Sequence, residues 1–137
     1  MTYRRTLATI QGDLARSTTL GLFHAGGTTP LALLNVADRF MTRLLGYLRF
    51  RTAPTNHAML FPRCRAVHTL GMAFSLDVFW LDSTGRVIAV TKALEPWRIA
   101  RCPEAAMALE MPASSPASKI IRLHHEMEFR TCANSSC

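Results

Sequence analysis

The stretch that decides the fold covers residues 78–90 and reads VFWLDSTGRVIAV. Its first part, 78–81, is a continuous run of aromatic, branched and other apolar residues, which is typical of a strand buried on both faces. Residues 82–85, Asp-Ser-Thr-Gly, have the chemistry of a tight turn, and the apolar run 87–90 follows. Two such runs around a turn predict a β-hairpin at the centre of the chain.

The segments around the hairpin predict further strands and one main helix. Apolar runs at 31–36, 58–61 and 105–111 predict strands, the last of them closed by Pro112. Residues 37–48 predict the helix, because Phe40, Leu44 and either Tyr47 or Leu48 share one face while charged residues occupy the other. Residues 119–128 are compatible with a last helix or a last strand. The fold class is therefore mainly β (α+β): a small, twisted or partly open antiparallel barrel with one main helix.

The length of 137 residues suits one domain with short extensions. Residues 1–30 are predicted to be an N-terminal extension, with a short amphipathic helix over 1–16 and a linker around Gly26 and Gly27. The domain itself is predicted over 31–112, and 113–137 forms a C-terminal extension whose last residues fray. Hydrophobic residues make up 49% of the chain, enough for a core that needs no disulfide or metal.

The charge is basic, because 16 lysines and arginines outnumber 9 aspartates and glutamates, for a net charge of +7. A basic face would suit nucleic acid, but scattered arginines on a solvated surface explain the composition more simply, and we favour that explanation. The arginines that would form such a face fall within one short span: Arg39, Arg43, Arg49, Arg51, Arg63 and Arg65.

The four cysteines exclude a zinc ribbon and a thioredoxin-like motif, because no pair has CxxC spacing. Residues 6–16 lack the apolar core of an export signal, and no apolar stretch is long enough to span a membrane. We therefore expect a cytoplasmic protein in which Cys64 and Cys102 stay reduced. A disulfide between these two is the alternative if their strands are adjacent.

Residues 63–72 read RCRAVHTLGM, and a series of short elements follows them in a fixed order. These are Leu-Asp-Val at 76–78, the turn at 82–85, Pro-Trp-Arg at 96–98, a cysteine at 102 and Leu-Glu-Met-Pro at 109–112. This order and spacing resemble one branch of the domain-of-unknown-function 192 family. Arg43 and the Gly-Tyr-Leu at 46–48 resemble an element late in the family's helix. The resemblance implies a small, β-rich single domain and no particular reaction or cofactor, since the family has no settled biochemical function.

The residues that suit ligand recognition are His68, Thr69 and Asp77, with Arg43 and Trp97 as further members of the candidate site. Asp77 is an acceptor when ionised and could orient His68, and Thr69 can donate and accept. Trp97 could stack on a ligand or a base, but we favour the alternative that its ring covers one end of the barrel. Alternatively, the three central side chains satisfy one another and nearby backbone groups as a structural network, which we favour over catalysis.

A metal or thiol site is the other candidate chemistry. Cys64, His68 and Cys102 would give zinc three ligands and leave one position for water, although the spacing matches no recognised zinc pattern. Cys64 could also act as a nucleophile with His68, with Arg63 and Arg65 lowering the pKa of its thiol. No residues for an oxyanion hole can be identified.

Three functions from different classes therefore remain open. The first is a non-enzymatic ligand- or peptide-binding accessory module, whose partner is a small anionic ligand or a peptide. The second is a basic nucleic-acid-binding protein, and the third is a thiol- or metal-dependent enzyme centred on Cys64 and His68. The sequence assigns no cofactor, and we favour the first function.

Overall fold

The computed structural model describes residues 19–37, 47–48 and 50–132. The predicted hairpin is formed by β5 (Leu76–Leu81) and β6 (Val87–Leu94), which pair antiparallel, and β6 is an edge strand of the seven-stranded sheet. The Asp82 carboxylate holds the turn between them, accepting hydrogen bonds from the backbone N–H of Thr84 at 2.8 Å and of Arg86 at 3.1 Å. Every residue of β5 is buried, as expected for a strand covered on both faces.

Five further strands join the hairpin in the main sheet: β1 (Leu20–His24), β2 (Ala32–Val36), β3 (His57–Pro62), β8 (Met107–Pro112) and β9 (Met127–Thr131). The order of the seven strands is β6-β5-β8-β3-β2-β1-β9. The strands predicted at 31–36, 58–61 and 105–111 correspond to β2, β3 and β8, and all three predictions are confirmed.

One pairing corrects the expectation of an antiparallel sheet, because β2 and β3 run parallel and the sheet is therefore mixed. A parallel pair requires a long connection, and the chain between Val36 and His57 supplies one. The main helix predicted over 37–48 falls almost wholly in this connection. It lies largely outside the described residues, as does the helix predicted over 1–16.

The sheet does not close into a barrel, yet its two edges meet at one end. There Arg86 and Glu126 form an isolated antiparallel bridge. The Met127 N–H donates to the Gly85 carbonyl at 2.9 Å, and the Val87 N–H donates to the His125 carbonyl at 2.9 Å. We call this junction the seam. The fold class is thus confirmed as mainly β, with a partly open sheet.

The predicted N-terminal extension, 1–30, and C-terminal extension, 113–137, each contribute a strand to the main sheet. Strand β1 lies between β2 and β9, and β9 begins at Met127. The segment 119–128 joins two elements, since the short helix α1 (Pro116–Ile120) ends within it and β9 starts within it. Within the described ranges, no helix is both long and apolar enough to cross a membrane.

A second, two-stranded sheet is formed by β4 (Ala66–His68) and β7 (Ile99–Arg101). We call it the β4–β7 ribbon. Strand β4 lies in the connection from β3 to β5, and β7 lies in the connection from β6 to β8. The segment 64–77 therefore contains a strand, β4, that the sequence did not predict.

Each face of the main sheet carries its own apolar cluster. One cluster contains Leu60, Phe79 and Leu109, and the other contains Met59, Val78 and Trp80. Neighbouring residues of one strand fall in different clusters because side chains alternate between the two faces. Val67 of the ribbon packs in the second cluster, which fixes the ribbon against that face of the main sheet.

Candidate functional site

Thr69 holds the β4–β7 ribbon to the turn that precedes β7. Its side chain is fully buried, and its hydroxyl donates to the Glu95 carbonyl at 2.6 Å and accepts from the Arg98 N–H at 3.0 Å. Its backbone carbonyl accepts from the Trp97 N–H at 3.0 Å, and its N–H donates to the Arg98 carbonyl at 2.9 Å. One threonine thus fixes the backbone of the four-residue turn at 95–98.

The turn presents Trp97 to solvent in an unusual backbone conformation. The φ angle of Trp97 is 63°, in the left-handed region that bulky residues rarely adopt, and its side chain is 66% exposed. The left-handed region costs an L-residue about 1–2 kcal/mol. An exposed aromatic side chain also lacks the favourable free energy that burial of its apolar surface would provide. Strained residues of this kind concentrate at functional sites. Trp97 is therefore the leading candidate for a binding residue.

Two further large apolar residues are exposed near Trp97, one two positions later in the chain and the other next to Thr69. Ile99 begins β7 and is 59% exposed, and Leu70 follows β4 by two positions and is 41% exposed. His68 is the cross-strand partner of Ile99 and is exposed as well. We call Leu70, Trp97 and Ile99, together with the exposed His68 and Arg101, the ribbon patch.

Replacement of Thr69 by valine is expected to loosen the turn while keeping the volume of the side chain. The Glu95 carbonyl and the Arg98 N–H, whose hydrogen bonds to Thr69 are half-buried, would each lose a partner, which costs about 1–3 kcal/mol. We expect the free energy of unfolding in urea to fall by that amount, and hydrogen exchange at Trp97 and Arg98 to accelerate. Thr28→Val, at an exposed threonine, is the matched control and should change neither. Equal behaviour of the two variants would contradict this role of Thr69.

Asp77 hydrogen-bonds to residues of β6 and α1 and not to His68. Its carboxylate accepts from the Lys92 ammonium, from the Ser118 hydroxyl and, at 2.7 Å, from the Ala93 N–H. Lys92 also lies over the Phe79 ring of the first apolar cluster, which puts this network on the sheet face opposite the ribbon. Asp77 therefore fastens α1 to β6, and the predicted His68–Asp77 pair does not form.

His68 instead accepts a hydrogen bond locally, from the Leu70 N–H to Nδ1 at 3.3 Å. Arg43, the remaining residue of the predicted ligand site, lies outside the described residues. Of the predicted ligand site, the structure therefore brings together His68, Thr69 and Trp97.

The predicted metal residues also make separate contacts. The Cys64 thiol donates to the Ala66 carbonyl at 3.1 Å, and the Cys102 thiol lies 3.8 Å from the Glu104 carboxylate. Burial, followed by the negative charge of Glu104, raises the pKa of Cys102. Across the described part of the chain, no three histidine, cysteine or acidic side chains are grouped to hold a metal. Cys64 and Cys102 are not joined by a disulfide.

Glu110 is a buried carboxyl group that the sequence did not single out. Its residue is 5% exposed, and its neighbours across the sheet are Met59 and Val78, both in the second apolar cluster. Burial raises the pKa of Glu110 to about 8. The Tyr47 hydroxyl lies 3.2 Å from the backbone carbonyls of both His57 and Glu110. Burial, and then the charge of Glu110, raises the pKa of Tyr47 well above its usual value.

Sequence reasoning also missed Leu70, Ile99 and Arg101 as members of the ribbon patch. A pattern was available, because residues 99–101 alternate a large apolar, a small and a charged side chain. A strand of three residues is too short for such alternation to stand out.

Comparison with known proteins gives the family and the fold. A family model described as DUF192, Uncharacterized ACR, matches residues 23–129. No curated protein matches the chain. A crystal structure described as a "putative transcription regulator" from Sinorhizobium meliloti has a TM-score of 0.63 and 21% identity, over 83% of this chain and 92% of that one.

A second crystal structure, of a protein of unknown function from Novosphingobium aromaticivorans, has a TM-score of 0.63 and 14% identity, over 80% of this chain and 83% of that one. At these identities the likeness extends to the fold alone. The family match covers most of the chain, including both strands of the ribbon and the whole hairpin. The protein therefore belongs to the DUF192 family of uncharacterised proteins.

Proposed function

We propose that this protein is a non-enzymatic binding module that recognises a segment of a partner protein at the ribbon patch. The observation that carries the proposal is Trp97, a 66% exposed tryptophan held in the left-handed region by the hydrogen bonds of Thr69. Tryptophan is one of the side chains enriched at the energetic centre of protein interfaces. Ile99, two residues along the chain, and Leu70, which follows Thr69, are further exposed apolar residues of the patch.

A protein partner suits this surface better than nucleic acid does. Single-stranded nucleic acid is bound by several aromatic rings on which successive bases stack, and among the phenylalanine, tyrosine and tryptophan residues of the described ranges only Trp97 is exposed. Its apolar companions are aliphatic and offer no stacking face. The arginines nearby are interspersed with Glu95 and Glu104, so the surface is not a continuous basic track.

An experiment with a displayed library of random twelve-residue peptides tests the proposal. Recovered peptides would be synthesised, and their dissociation constants measured for the wild type and for Trp97→Ala. Loss of a central tryptophan at an interface costs about 2 kcal/mol or more, which is roughly a thirtyfold weaker Kd. Leu123→Ala is the matched control, because Leu123 is also an exposed apolar residue, 47% exposed, outside the patch.

We expect Trp97→Ala to weaken binding at least tenfold and Leu123→Ala to leave it unchanged. Equal affinity of the wild type and Trp97→Ala would overturn the proposal, and so would a selection that enriches no peptide. Binding of a single-stranded oligothymidine that weakens steeply with salt and depends on Trp97 would favour the nucleic-acid function instead.

A further inference from the structure

We propose that the partner segment binds as an added strand on the outer edge of β7. We further infer that it carries an acidic residue and a large apolar residue two positions apart. This inference rests on the proposed function and specifies the chemistry of the partner. It is carried by the hydrogen-bonding pattern of the ribbon and by the order of side chains along β7.

The register of the ribbon shows which backbone groups of β7 point outward. The Thr69 N–H donates to the Arg98 carbonyl, and the Cys102 N–H donates to the Arg65 carbonyl. In an antiparallel pair, hydrogen-bonded and non-bonded residue pairs alternate. The pairs His68–Ile99 and Ala66–Arg101 lie at the non-bonded positions. The N–H and C=O groups of Ile99 and Arg101 therefore point away from β4.

The outer edge of β7 is open along the described part of the chain. The ribbon contains two strands only, and no further strand of the described ranges pairs with β7. An open edge next to exposed apolar side chains is a template for an extended peptide, which gains affinity from its own backbone hydrogen bonds. The outer edge of β4 is less suitable, since the Ala66 carbonyl already accepts from the Cys64 thiol.

The side chains of β7 set the sequence that such a peptide would need. Ile99 and Arg101 point to the same, solvent-exposed face, whereas Ala100 between them packs in the second apolar cluster. A strand added about 4.8 Å away places every second side chain on that exposed face. One of these side chains would lie beside Ile99, and the one two positions away would lie beside Arg101.

Cross-strand neighbours stabilise a sheet when apolar groups meet apolar groups and opposite charges meet. The position beside Ile99 therefore favours a large apolar residue, and the position beside Arg101 favours aspartate or glutamate. Arg101 is exposed, and neither a hydrogen bond nor a salt bridge within the described residues engages its side chain. Arg98, by contrast, already pairs with Glu95 at 3.6 Å.

Two measurements on the peptides recovered from the twelve-residue library test this inference. In the first, each peptide is N-methylated at one backbone position at a time. The outer edge of β7 offers two carbonyl acceptors, those of Ile99 and Arg101, so we expect at least tenfold losses of affinity at two peptide positions that are separated by one position tolerant of methylation. In the second, the dissociation constants of the wild type and of Arg101→Glu are measured for each peptide and for a variant of that peptide in which lysine replaces the acidic residue.

We expect Arg101→Glu to weaken the acidic peptide and to strengthen the lysine peptide, each at least fivefold. Arg122→Glu, at an exposed arginine after α1, is the control for overall charge and should not invert the preference. Peptides that bind through Trp97 without alternating losses would overturn strand addition and leave the proposed function standing. If affinity is lost in the alternating pattern but Arg101→Glu does not prefer the lysine peptide, the inference that the partner carries an acidic residue would be overturned. A library that yields no binder overturns the inference together with the proposed function.

Discussion

Replacement of Gly85 by alanine is expected to destabilise the fold by about 3 kcal/mol or more, the range of severe single substitutions. Gly85 ends the central turn with a φ of 91°, and a Cβ added there would lie 2.6 Å from the Met127 carbonyl oxygen. That oxygen is backbone and belongs to β9, so it cannot move away as the end of a side chain could. The Gly85 carbonyl also accepts from the Met127 N–H across the seam. The substitution therefore combines backbone strain with loss of contact between the two edges of the sheet.

Gly26→Ala is the control that separates these two effects. Gly26 has a φ of 74°, but nothing lies within 4 Å of its added Cβ, so only the strain of the left-handed region applies. We expect a loss of about 1 kcal/mol for Gly26→Ala. Urea unfolding of both variants measures the difference. Similar losses for Gly85→Ala and Gly26→Ala would show that the close approach at the seam contributes nothing.

Replacement of Glu110 by glutamine is expected to stabilise the protein at alkaline pH and to flatten the dependence of its stability on pH. The folded state raises the pKa of Glu110 from 4.5 to about 8, because its carboxyl is buried among apolar side chains. A raised carboxyl pKa means that the folded state binds the proton more tightly than the unfolded state does. The contribution of Glu110 is therefore most favourable below pH 4.5 and is lost as the pH rises from 4.5 to 8.

The size of this effect follows from the two pKa values. Above pH 8 the cost of ionising Glu110 in the fold approaches an upper limit of about 5 kcal/mol. Entry of water and relaxation around the charge lower it, so we expect Glu110→Gln to be about 2–3 kcal/mol more stable than the wild type at pH 8. At pH 4 the two proteins should have similar stabilities, since glutamine resembles the neutral carboxyl group.

Urea unfolding between pH 4 and pH 9 provides the measurement. Glu104→Gln removes the same charge from an exposed position and is the matched control. Its stability should follow the wild-type pH dependence, whereas the curve for Glu110→Gln should diverge upward with rising pH. Parallel curves for all three proteins would contradict the raised pKa of Glu110, as would a Glu110→Gln variant that is less stable at pH 8.

The local patterns of the sequence were sufficient to predict the hairpin of β5 and β6 at one edge of the sheet. The apolar run before Asp82, the turn chemistry and the second apolar run predicted β5, β6 and their pairing, and all are observed. Strands β2, β3 and β8 were also predicted, because each is a run of apolar residues long enough to be recognised. Hydrogen bonds between residues close in sequence form this hairpin, so local residues suffice to specify it.

The pairing partners of the other strands could not be predicted in this way. Strand β1 pairs with β9 although more than a hundred residues separate them, and β2 pairs with β3 in parallel across a long connection. Such pairings depend on which strands bury their apolar faces in the same cluster, and those strands come from distant parts of the chain. The seam arises in the same manner, from the close approach of Gly85 to Met127.

The candidate site shows the same division between sequence and tertiary structure. The sequence by itself identified His68, Thr69 and Trp97 as unusual residues, and it identified the family to which the chain belongs. Only the tertiary structure separated Asp77 from His68, since alternation along β5 turns the carboxylate toward Lys92 and Ser118. Only the structure buried Glu110 and exposed Ile99 beside an open strand edge. The physical reason is that residue type and spacing fix local conformation, whereas burial and hydrogen-bond partners are set by strands that meet from distant parts of the chain.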